Sequence, residues 1–95
     1  MTRAARPSVR PDAAALVAWH RDARRRTLDL VAGLDDAELM GPRLPIVNPM
    51  RWEVGHVAWF QEHWTLRHAR GERPLREDGD ALYDSARVAH DTRWD

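Results

Sequence analysis

Three prolines fall within the nine residues Gly41 to Pro49, at positions 42, 45 and 49, and they cut the chain into two helical halves. Proline has no N–H and a fixed φ, so no regular element runs through such a stretch. Before it, Leu16, Trp19, His20, Ala23, Thr27, Leu30, Val31 and Leu34 recur at steps of three and four, the period of one helical face. Arg21, Arg24, Arg25 and Asp29 fall mostly on the other side. Asp12 after Pro11 is an N-cap and Gly33 an end, which predicts a helix over about residues 13–32, roughly 30 Å long. Asp35 and Glu38 have the spacing of a capping box on one short turn. Beyond the connector, Asn48-Pro49 reads as N-cap and first helical position. A second helix is expected from about Met50 to Arg70, closed by Gly71 and Pro74. Glu72 to Gly79 reads as a polar loop, and Asp80 to Asp95 shows no clear period.

The expected fold is all-α: two long antiparallel helices with an irregular C-terminal tail. A hairpin buries one side of each helix, while ordering costs about 1.5 kcal/mol per residue. The chain therefore reads as an incomplete helical domain over residues 12–95, after a disordered Arg- and Pro-rich lead over residues 1–11. Either copies self-associate or further helices complete the bundle. With net charge zero and 43% hydrophobic residues, the composition is that of a water-soluble globular protein, with no electrostatic reason to seek nucleic acid or an anionic membrane. The arginines at 24–26, 67, 70, 73 and 76 are interleaved with Asp22, Asp29, Glu72 and Glu77, the pattern of a solvated surface. Absent cysteine excludes disulfides, thiolate metal sites and cysteine nucleophiles, and suits a cytoplasmic setting. Ala13 to Trp19 is too short for a secretory leader, and no run approaches the ~20 apolar residues of a membrane span. Ser8 and Ser85 lie in no nucleophile motif, and no glycine-rich phosphate loop is present.

Chemistry concentrates in the second helix. At 100° per residue, Trp52, His56, Trp59, His63 and Leu66 share a narrow arc, so two imidazoles and two indoles sit on the face that is to be buried. Gly55 borders that face and allows close approach of another element. A buried imidazole without a partner costs a few kcal/mol. Two readings stay open: a core histidine donating to a backbone carbonyl, or a metal ligand. His56 and His63 are about 10 Å apart along the axis, too far to act as the usual one-turn ligand pair. His20 lies on the first helix's apolar stripe and faces one or the other in a register the sequence does not disclose. The residues alone offer one candidate ligand and no complete site.

The run Pro49-Met50-Arg51-Trp52-Glu53-Val54-Gly55-His56-Val57-Ala58-Trp59-Phe60-Gln61-Glu62 resembles the DinB-like N-terminal domain of ergothioneine-biosynthesis sulfoxide synthases. The tail from Ala81 to Asp95 is similar to the selenoneine-synthase branch of that family. The resemblance covers about Leu16 to Asp95 and implies a partial four-helix bundle of the DinB type. It implies that His56 is one of three histidine ligands to Fe(II), the other two coming from a later His-x-x-x-His motif that this chain lacks. It also implies a following domain of the formylglycine-generating-enzyme type, with hercynine as acceptor and a thiol or selenol as donor. Two arginines of the family bind an amino-acid thiol. Arg93 matches one of them and is the expected substrate contact, while His90 stands in the other's place, which points towards a sugar-type donor. His20, His63 and His68 remain structural or surface residues.

The resulting expectation is the N-terminal part of an iron-dependent, O₂-using enzyme that forms a C–S or C–Se bond on hercynine. The 95 residues alone are expected to be inactive, without tightly bound iron and without a catalytic residue of their own. The alternatives are a fragment of a DinB-like, divalent-metal thiol S-transferase, or a non-catalytic, self-associating helical module.

Overall fold

A computed structural model describes residues 10–95, so nearly all of the expected disordered lead lies outside the described residues. The described chain is helical, with no strand. Helix α1, Ala13–Val31, starts where the sequence places it: Asp12 is extended and its carboxylate accepts from the Ala15 N–H. The short α2, Asp36–Met40, carries the full reciprocal capping box of Asp35 and Glu38. Helix α3 runs over Met50–Gln61.

Three features differ from the sequence reading. The first is the N-terminus of α3. Pro49, not Asn48, occupies the N-cap, buried and with no side-chain cap; its carbonyl accepts from the Glu53 N–H. Asn48 is drawn elsewhere: its amide donates to Glu53, and its carbonyl oxygen accepts from Arg93 and lies 3.1 Å from His90 Nδ1.

The second is the far end of that helix. In place of a continuous α-helix to Arg70, Glu62–His68 is π-helical. The change begins where the Thr65 hydroxyl donates to the Gln61 carbonyl, competing with the α-helical ladder at that oxygen. Gly71 then closes the segment with φ +68°, a conformation that favours glycine.

The third is the tail, which is not wholly irregular. Helix α4, Gly79–Tyr83, is one short turn, and His90–Trp94 forms a 3₁₀ turn. Packing centres on α3, where Trp52 and Trp59 are the buried hydrophobic side chains. Against them lies α4, whose Asp80 accepts from Trp59 Nε1 at 2.8 Å and from both terminal nitrogens of Arg67 at 2.6 and 3.0 Å. One carboxylate thereby joins α3, the π-helical segment and α4. By contrast α1 has no buried residue: it meets α3 beside an Arg24–Gln61 hydrogen bond, and Leu16, Trp19 and Leu30 of its stripe are 51, 61 and 82% exposed.

Arg67 first, and Trp59 second, hold the Asp80 carboxyl far below the ordinary carboxylate range. A depressed carboxylate contributes stability that is complete above its unfolded value of about 3.9 and is lost as pH falls towards the folded value. Asp80→Asn is therefore expected to cost about 1.5–3 kcal/mol near neutral pH, the range for hydrogen bonds to charged groups. In urea denaturation, the gap between wild type and variant should close as pH is lowered from ~5 towards ~2; a gap independent of pH would contradict this account. The uncovered α1 stripe makes a second prediction. Thermal unfolding followed by circular dichroism should be broad, with a midpoint that rises with protein concentration. A sharp, concentration-independent monomer melt would show that the hairpin is sufficient by itself.

Candidate metal-ligand face on helix α3

Residues 52, 56, 59 and 63 follow one face of a helix, and their rings form a stack. Trp52 and His56 are 4.7 Å apart with planes 11° from parallel; His56 and Trp59 follow at 5.7 Å, and Trp59 and His63 at 5.0 Å. Stacked rings have their N–H groups at the edges, and three of these edges meet α4. Trp52 Nε1 donates to the Leu82 carbonyl at 2.8 Å, His56 Nδ1 lies 2.7 Å from the Tyr83 carbonyl, and Trp59 Nε1 reaches Asp80. His56 is thus hydrogen-bonded to a backbone carbonyl, the first of the two readings open from sequence. That contact leaves the second open as well, because a metal-binding imidazole commonly uses its other nitrogen in this way.

His63 continues the stack, and its Nδ1 is buried without a partner; it lies edge-on to Trp64 and lines a groove with Arg67 and His68. His20 is exposed on α1 and borders an apolar cleft of about 510 Å³ with Trp59 and Tyr83. Among the described residues no three His, Cys, Asp or Glu side chains gather closely enough to hold a metal ion. One imidazole fits as one ligand, and the described residues do not supply the rest of a site.

Arg93 lies over the Trp52 ring, 4.0 Å from its centroid, a cation–π contact. It donates to Asn48, a bond that ties the tail to the start of α3, and to the carbonyls of Val88 and Ser85 within the tail. Four of its five N–H donors are used in this way. Arg93 has no carboxylate partner within 4.0 Å among the described residues. It borders a cleft of about 260 Å³ together with Arg51, Trp52, Tyr83, Thr92 and Asp95. His90 does not line this cleft: its Nδ1 approaches Asn48, and its Nε2 lies 2.7 Å from the Leu44 carbonyl in the connector.

Sequence reasoning assembled the ring face but missed Tyr83, Asp80 and Asn48. Tyr83 and Leu82 act through backbone carbonyls, which have no sequence signature. Asp80 lies in the first turn of a helix of only five residues, too short for a periodic signal. Asn48 resembles an ordinary N-cap, and its partners in the tail, His90 and Arg93, lie more than forty residues away.

No described helix is long and apolar enough to cross a membrane. No solved structure matches the chain. Among curated proteins, the hercynine oxygenase of Mycolicibacterium smegmatis is 42% identical over 65 residues. Those of Mycolicibacterium thermoresistibile and Mycobacterium tuberculosis are 41 and 38% identical over 66 and 65 residues. Each match covers 66 or 67% of this chain and 15% of the relative, so the chain spans a small part of the length of the proteins it resembles. The pattern of the DinB superfamily matches residues 20–94, and the chain belongs to that superfamily.

Proposed function

We propose that this chain is the N-terminal helical part of an iron-dependent, O₂-using enzyme that joins sulfur or selenium to hercynine, with His56 as one of its metal ligands. The observation that carries the reading is His56 itself. It is gripped between Trp52 and Trp59 with one nitrogen bonded to Tyr83, in a chain 38–42% identical to hercynine oxygenases over about two thirds of its length. The remaining ligands, and the second domain, belong to sequence outside this chain. Iron bound there supplies the activation of O₂. This chain's residues orient one ligand and screen it from water with two indoles. Its location in the cell is taken to be the cytoplasm.

Arg93 is proposed as the donor contact. Among the described residues no carboxylate pairs with it within 4.0 Å, and the 260 Å³ cleft it borders has the side chains of Arg51 and Arg93 against that of Asp95, a balance that favours an anionic thiol or selenol. The proposed preference for a sugar-type donor rests on the absence of a second arginine three residues before Arg93, since His90 stands there with both nitrogens turned to the connector. A fork of two guanidiniums suits a carboxylate better than one does.

A second reading, a self-associating helical module, is favoured by the exposed stripe of α1. The thiol S-transferase alternative has no such support, and the relatives' names favour the hercynine reading.

For iron, the expected result is that His56→Ala changes little in the 95-residue chain, where metal binding is weak. In a protein extended to the length of the relatives, the same change should abolish stoichiometric iron, measured by metal analysis of the purified protein. Tight metal in the short chain that survives His56→Ala would assign binding to His20 or His63 and overturn the reading.

A further inference from the structure

A neutral imidazole carries one N–H and one lone pair, and the nitrogen that donates leaves the other free to coordinate. His56 Nδ1 is 2.7 Å from the Tyr83 carbonyl oxygen, which can only accept. The hydrogen therefore sits on Nδ1 and the lone pair on Nε2. Nε2 makes no hydrogen bond among the described residues, and it is not one of the buried nitrogens left without a partner. The ring is held against exchange of its two nitrogens by Trp52 on one face and Trp59 on the other.

What brings the Tyr83 carbonyl to that place is the residue before the histidine. Gly55 has ordinary helical backbone, with no positive φ, so its conformation does not require glycine. Its surroundings do. The Tyr83 ring lies so close that a Cβ on Gly55 would fall upon Cε1, Cζ and the hydroxyl of that ring. In an exposed helix interior, alanine is better than glycine by about 1 kcal/mol. Here the same substitution pushes against α4 at the residue whose carbonyl holds His56.

We propose that Gly55 and Tyr83 are positioning residues for His56. Gly55 admits the Tyr83 ring, and the Tyr83 carbonyl then fixes the imidazole as the Nδ1–H tautomer and presents Nε2 to a metal. The use made of Nε2 rests on the iron reading above. The tautomer does not, since it belongs to the metal-free chain.

The test is two-bond ¹H–¹⁵N correlation on the metal-free, histidine-labelled 95-residue chain at mildly alkaline pH, which needs no substitution for its first arm. The expected result is a fixed His56, with Nδ1 pyrrole-like and Nε2 pyridine-like, beside an averaged pair for exposed His20. An averaged or reversed His56 overturns the proposal. In the second arm, Gly55→Ala is expected to collapse the His56 pattern towards the averaged pair while helicity by circular dichroism is kept or raised. Adding Tyr83→Ala, which removes the ring and keeps the carbonyl, should restore the fixed pattern. A Gly55→Ala spectrum like wild type, or a double variant that stays averaged, overturns the role given to Gly55. Because no arm contains metal, a failure here is distinct from failure of the iron reading, which the His56→Ala metal analysis judges separately.

Discussion

Indole and imidazole N–H groups lose water when their rings stack into a core, and each then needs an acceptor or costs a few kcal/mol. On helix α3 three such groups, from Trp52, His56 and Trp59, point along one face. Their acceptors are all provided by α4 and its immediate end: the carbonyls of Leu82 and Tyr83, and the carboxylate of Asp80. This accounts for a five-residue helix, too short to be stable alone, holding a defined place. It also accounts for the buried part of this molecule lying between α3 and α4 and not between the two halves flanking the proline connector.

The same interactions link stability to the candidate site. Asp80 joins Trp59 to Arg67 and so fixes the end of α4 remote from His56. At the other end the tail returns over Trp52, where Arg93 covers the indole and bonds to Asn48 at the start of α3. His56 lies between these two anchors. An arginine with most of its donors committed to backbone carbonyls and Asn48 is a rigid group, and a rigid cation at the edge of a cleft suits recognition of an anion. Arg93 thus joins a scaffold role to its proposed substrate role.

The exposed stripe on α1 has a different character. Its apolar spacing is that of a packed helix, yet none of its residues is buried and Leu16, Trp19 and Leu30 are largely exposed. DinB superfamily membership and the 15% coverage of the hercynine oxygenases agree with a bundle that has more helices than these. The α1–α3 contact around Arg24 and Gln61 is polar, so it aligns the two helices without giving them a shared core.

Local chemistry was legible in the sequence. The Asp12 cap, the Asp35–Glu38 capping box, the extent of α1, the Gly71 stop and the common face of Trp52, His56, Trp59 and His63 all depend on residues within a few turns of one another. Spacing along the chain encodes such relations directly. The tertiary structure decided what lies across the fold: that Asn48 leaves its capping role for Arg93, 45 residues on, and that Pro49 takes the cap. It decided that Trp52 and His56 find backbone acceptors 30 and 27 residues away, and that Gly55 is occupied by a tyrosine ring. The reason is physical. A carbonyl oxygen is the same at every residue, so a side chain that needs one leaves no mark on the sequence at the position that supplies it.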